Sequence, residues 1–250
     1  MKKLTRRYLI TAAALAAAML AFGFQAARKA PTSGDPLIDG FKKTPTASVA
    51  DAVDQVVGRR GFMSHEMRPR IAGSFVGRAA TALLRPAPPE KATPQLTGKH
   101  SIEMIDNAKP GEVGVIVIEN GLDVAALGGL MATDAQSRGM AGMVLDAGVR
   151  DVGEIRALGL PVYARSVIPS TTVGRFASVA NQVPVECAGI TVKPGDIIVA
   201  DEDGVVAVPQ ERAAEVLKRA QEIDARETKM VPLIKKYKSL QKVVAMFNRI

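Results

Sequence analysis

The chain has 250 residues, 47% of them hydrophobic, and a formal net charge of +8, enough apolar material for one sizeable core. Lys2, Lys3, Arg6 and Arg7 stand in residues 1–24 without an acid, so the +8 falls to +4 without them. Aromatics make up 4% and tryptophan is absent, so no base-stacking surface is indicated and nucleic-acid binding is not expected. The single cysteine, Cys187, excludes an intramolecular disulfide. His65 and His100 lack metal-ligand spacing to any partner, which argues against zinc.

Residues 2–7 are basic, residues 8–24 form an apolar run rich in Ala and Leu, and Gln25-Ala26-Ala27 offers small residues for cleavage. The run is short for a membrane span. Residues 1–27 are therefore expected to be an export signal or an N-terminal anchor, and the protein to be exported to the periplasm or held at the membrane. Thr5-Arg6-Arg7-Tyr8-Leu9-Ile10 resembles a twin-arginine signal, with a general secretory signal or an uncleaved anchor as the alternatives. Residues 28–36, polar with Pro and Gly, read as a linker into a domain at 37–229.

Residues 46–57 have helical spacing (Val49, Ala52, Val53, Val56, Val57) and stop at Gly58. Residues 73–84 are small and apolar and read as a strand, followed by a proline-rich break over 85–94. A short helix is expected over 100–108 and a buried strand over 114–118, each ended by a turn. Gly128-Gly129 open a helix over 130–138. Residues 140–145 read as a buried strand closed by the turn Asp146-Ala147-Gly148, and Val152, Ile155 and Leu158 space a helix that Gly159 and Pro161 stop. Further strands are expected over 162–166, 183–187 and 190–192. The turn Lys193-Pro194-Gly195-Asp196 then leads into a hairpin of 197–200 with 205–208. A long helix runs from Pro209 to about Lys229, and residues 230–250 hold a basic amphipathic helix whose charges read as a solvated face. The order is mixed α/β with a β-rich C-terminal half.

Arg150 and Asp151 fall where a strand hands over to a helix, the end of an α/β sheet at which ligands gather. Arginine grips a carboxylate with two parallel donors, and aspartate offers a hard oxygen to a divalent cation. The competing reading makes Asp151 and Glu154 a capping box that only satisfies the helix's own N–H groups. Gly128-Gly129 place open backbone N–H groups at a helix start, a setting for an anion, or serve only close packing. Oxygen ligands dominate here, so a bound metal is expected to be magnesium or manganese.

Val144-Leu145-Asp146-Ala147-Gly148-Val149-Arg150-Asp151, Gly128-Gly129-Leu130-Met131-Ala132-Thr133 and the stretch from Lys193-Pro194-Gly195-Asp196 through Asp203-Gly204-Val205 together resemble the RraA-like family. That family includes 4-hydroxy-4-methyl-2-oxoglutarate and 4-carboxy-4-hydroxy-2-oxoadipate aldolases and regulators of ribonuclease E. The resemblance implies an α/β, swivelling β/β/α domain with C-terminal helices, assembled as a homotrimer or homohexamer with sites between subunits. It implies that Arg150 holds the pyruvyl part of a 2-oxo acid, that Asp151 positions Mg2+ (or Mn2+), and that Gly128, Gly129, Leu130 and Met131 contact substrate. It also implies that Glu227 reaches in from a neighbouring subunit as a catalytic carboxylate. The aldolases carry an acid where this chain has Gly129. Two functions follow: a metal-dependent lyase that releases pyruvate by retro-aldol cleavage or oxaloacetate decarboxylation, or a non-catalytic binding protein.

Overall fold

The structure, a computed structural model, describes residues 34–247. The expected export signal or anchor and the linker up to residue 33 lie outside the described residues. Asp35 caps helix α1 (Pro36–Phe41), its Oδ1 accepting the Leu37 N–H at 3.0 Å, so Pro36 opens a helix rather than closing a linker. Helix α2 (Thr46–Val57) has the bounds its spacing predicts, and Gly58 closes it in the left-handed conformation at φ 74.

The chain continues through β1 (Arg68–Ile71), β2 (Phe75–Pro86), α3 (Pro94–Thr97), α4 (Lys99–Asp106), β3 (Val113–Ile118) and β4 (Ala125–Leu127). Next come α5 (Gly129–Ser137), β5 (Gly142–Val149), α6 (Val152–Leu158), β6 (Val162–Val167) and β7 (Phe176–Asn181). The last elements are β8 (Val185–Cys187), β9 (Ile190–Val192), β10 (Ile197–Asp201), β11 (Gly204–Val208), α7 (Ala213–Tyr237) and α8 (Leu240–Phe247).

Strands β2, β3, β5 and β6 run parallel at the centre of the main sheet, with β1 antiparallel on β6. All six residues of β3 are buried, as expected of a parallel strand covered on both faces. The long strand β2 pairs with β10 through Phe75 to Arg78 and with β7 through Ala82 to Pro86. It thereby joins the parallel sheet to the β10–β11 hairpin and curls the whole into a nearly closed barrel. Helices α4, α5 and α6 cover one face over Met104, Ile116, Leu145 and Ile155, while β8 and β9 cover the other over Val115, Val144 and Tyr163. Helices α1, α2 and α7 cover the hairpin through Phe41, Val53, Val199 and Val216. Each such aliphatic side chain, fully buried, contributes about 1.5–3 kcal/mol of transfer free energy.

Several expectations are corrected. The turn expected at Asp146-Ala147-Gly148 is the continuation of β5 to Val149. Asp146 is tolerated there because its Oδ1 accepts from Nη1 of Arg165 at 2.9 Å and its Oδ2 from the Ala188 N–H at 2.6 Å. The helix expected to end near Lys229 runs on to Tyr237 with Pro232 inside it. A proline in a helix costs a hydrogen bond and a bend rather than the whole element. The short strands β1, β4 and β7 were not expected.

Candidate functional site

The site forms at the carboxyl ends of the parallel strands. Strand β4 lies parallel beside the end of β5, pairing Ala125 with Gly148 and Leu127 with Val149. The Arg150 N–H donates to the Leu127 carbonyl at 3.1 Å, so the turn after β5 is stitched to the start of α5. That brings the Arg150-Asp151 pair against Gly128 and Gly129, which stand more than twenty residues earlier in the chain.

Asp151 adopts φ 56 and ψ 34, the left-handed region, at the entry of α6. Its backbone carbonyl accepts from the Ile155 N–H at 3.0 Å, as an N-cap carbonyl does, yet its side chain makes no capping bond to α6. Instead Oδ2 accepts the Gly129 N–H at 2.9 Å, at the start of α5. The capping-box reading of Asp151 and Glu154 is therefore overturned: the left-handed backbone turns the carboxylate away from its own helix. The remaining first-turn N–H groups of α5, those of Leu130 and Met131, have no side-chain cap among the described residues and stay open as donors.

The Arg150 Nε lies 3.6 Å from Asp151 Oδ2, with the two side chains 43% and 39% exposed. Among the described residues the Arg150 guanidinium donates no hydrogen bond, so its fork remains available. The glycines make this crowding possible. A Cβ on Gly128 would lie 2.8 Å from Arg150 Nε and 2.9 Å from Asp151 Oδ2, and one on Gly129 would collide with Oε2 of Glu154. The two readings of Gly128-Gly129, anion site and close packing, thus merge, because what packs against them is charged. Arg150, Gly128 and Met131 also line a cavity of about 140 Å³.

Glu154, read from sequence only as a capping partner, therefore joins the site. Its sole sequence signal is its spacing of three from Asp151, which puts both on one helical face. Asp151 and Glu154 supply hard oxygens of the kind magnesium takes, since that ion binds through one or two carboxylates and keeps several waters. Among the described residues no group of three or more His, Cys, Asp or Glu could hold a metal ion, so an ion here would rest on one or two carboxylates and water. Leu130 points outward and is 91% exposed. Glu227 stands on an exposed face of α7, which packs on α1 and α2, and the single chain does not bring it to Arg150.

The mixed α/β domain, with its nearly closed barrel-like sheet and C-terminal helices, is of the swivelling β/β/α type that the sequence led us to expect. The RraA-like (Aldolase/RraA) family profile matches residues 46–207, and the chain belongs to that family. An uncharacterized protein of Methanocaldococcus jannaschii is 36% identical over 133 residues, which are 53% of this chain and 63% of that one, less than two thirds of its length. A Halalkalibacterium halodurans protein, provisionally named as a 4-hydroxy-4-methyl-2-oxoglutarate aldolase, is 27% identical over 193 residues, 75% of this chain and 83% of that one. A crystal structure of an uncharacterized Pseudomonas syringae protein superposes with a TM-score of 0.73 at 28% identity, over 86% of this chain and 99% of that one.

Proposed function

We propose that the protein is a divalent-metal-dependent lyase of 2-oxo acids that releases pyruvate. One observation carries the reading: the Arg150 guanidinium and the Asp151 and Glu154 carboxylates converge on the open start of α5. The left-handed Asp151 supports it, since backbone strain of this kind gathers at functional sites. The aldolase name of the Halalkalibacterium relative points to the same chemistry.

Asp151, with Glu154 standing beside it, would hold Mg2+ or Mn2+, and the bound ion would draw electron density from the 2-oxo group of the substrate. Arg150 pairs with the substrate's carboxylate and then with the enolate oxygen as negative charge builds there. In retro-aldol cleavage the bond between C3 and C4 breaks, its electrons pass into the enolate, and the C4 hydroxyl loses its proton. Glu154 takes that proton, from the space that a side chain on residue 129 would otherwise fill. Oxaloacetate decarboxylation forms the same enolate with no hydroxyl proton to remove, so it depends on Arg150 more than on Glu154.

Gly129 lacks the acid of the aldolases and so favours the non-catalytic binding reading, but the carboxylate of Glu154 occupies the space of that side chain and counts against it. We further propose assembly as a trimer or hexamer, in which a neighbouring subunit covers Leu130 and offers Glu227, and export by way of residues 1–27. Pyruvate release from 4-hydroxy-4-methyl-2-oxoglutarate and from oxaloacetate, each with and without magnesium, tests the function. Absence of metal-dependent turnover of both would sink it.

A further inference from the structure

Two residues that line the cavity beside Arg150 carry buried hydroxyls that the fold leaves unused. Thr97 closes α3 and Ser101 lies in the first turn of α4, four residues on. Gly98 between them has helical dihedrals, φ −96 and ψ −7, so the two side chains fall on one helical face. Thr97 is 4% exposed and Ser101 2%. Both line the cavity with Arg150 and Gly128, and neither hydroxyl oxygen has a hydrogen-bond partner among the described residues.

A buried hydroxyl without a partner costs stability, and a serine or threonine serving only as packing would be better replaced by alanine or valine. Two such groups on one wall of one cavity, beside a guanidinium with a free fork, are complementary to an anion whose oxygens take all three donors. The cavity of about 140 Å³ has room for roughly five water-sized groups at ~30 Å³ each, close to a three-carbon acid. Leu84 and Ala126 on other parts of the lining suit a methyl or methylene carbon.

We propose that this cavity is the subsite for the pyruvyl end of the substrate, with the Thr97 and Ser101 hydroxyls donating to its carboxylate alongside Arg150. The inference rests on the 2-oxo acid reading above and adds to it the two hydroxyls that, with Arg150, hold the substrate's carboxylate.

The test uses the full chain with magnesium, pyruvate as the probe, calorimetry for binding, and thermal melts without ligand. Thr97→Val and Ser101→Ala remove one hydroxyl each at nearly constant shape, and Thr97→Ser keeps it. Each deletion should weaken pyruvate binding about tenfold while the ligand-free melting temperature stays level or rises, and Thr97→Ser should bind as the wild type does. Pyruvate binding that is equal in all four proteins, or undetectable in the wild type, overturns the subsite. The lyase reading is judged separately by turnover. Turnover with hydroxyl-independent pyruvate binding overturns the subsite alone, and hydroxyl-dependent binding without turnover upholds the subsite and removes the lyase.

Discussion

Asp151 begins one helix and caps another. Its carbonyl accepts from Ile155 within α6, while its carboxylate accepts the Gly129 N–H of α5 at 2.9 Å. The left-handed backbone at φ 56 lets a single residue serve both, and it fixes the distance between the two helix starts on which the proposed chemistry depends.

Asp151→Asn keeps a side-chain oxygen for Gly129 and a residue type that accepts the left-handed region. Its melting free energy should fall by no more than about 1 kcal/mol, while magnesium dependence of pyruvate release weakens, because a neutral amide is a poorer ligand for a hard cation. Asp151→Ala should lose more stability, about 1–2 kcal/mol, through the lost acceptor and the strained φ. Thermal melts and magnesium titrations of turnover check both.

Glu154 is exposed and makes no hydrogen bond among the described residues, so Glu154→Gln should leave the melting temperature within the range of ordinary surface changes, about 0.5 kcal/mol. If it is the base, kcat for retro-aldol cleavage should drop by about 10²–10⁴, with oxaloacetate decarboxylation much less affected. Equal losses on both substrates would show that Glu154 only holds the metal.

Gly129→Asp alone should not improve retro-aldol activity. Residue 129 opens α5 with an ordinary helical backbone, yet the space for its side chain is held by the Glu154 carboxylate. Glu154→Ala clears that space, so Gly129→Asp added to Glu154→Ala should recover much of the lost turnover. Such strong non-additivity is the mark of two positions sharing one role. A double variant as inactive as Glu154→Ala would place the base elsewhere, with Glu227 the next carboxylate to replace.

Asp196 is a structural carboxylate, 3% exposed. Its Oδ2 accepts the Lys193 N–H at 2.8 Å and its Oδ1 the Gln210 N–H at 3.1 Å, tying the turn before β10 to the entry of α7. Asn can accept only one of these bonds, so Asp196→Asn should cost about 1–3 kcal/mol. Burial, outweighing the two backbone hydrogen bonds, raises its carboxyl above the ordinary 3.8. Its titration therefore contributes stability that is fully present below 3.8 and is lost as pH rises through the raised folded value. The melting-temperature gap between wild type and Asp196→Asn should narrow across that window.

Much of this molecule is visible in its sequence wherever one element carries its own pattern. The 3.6-residue rhythm of Val49, Ala52 and Val53 marks α2, and the apolar runs on either side of Asp201 to Gly204 mark the β10–β11 hairpin. Arg150-Asp151 stands out because the period changes there from strand to helix. Strand β4 is hidden because Ala125-Ala126-Leu127 is too short to show a period and forms only by lying against β5. Glu154 was assigned to its own helix because a capping box is a local pattern, whereas the contact that defines it is with Gly129. Thr97 and Ser101 leave no mark at all, since lacking a partner is a property of the folded interior.

The lone thiol gives the molecule a built-in reporter. Cys187 is fully buried, its Sγ–H set 3.8 Å from Sδ of Met63, and burial pushes it well above its ordinary value, so it is neither reachable nor ionised in the native state. A thiol-specific reagent can modify it only when β8 and β9 lift from the sheet. With no second cysteine in the 250 residues, a single labelling rate, measured on the unaltered protein, times that opening. Pyruvate, if it binds at the far face beside Arg150, should slow the labelling only as far as the two faces of the sheet come apart together.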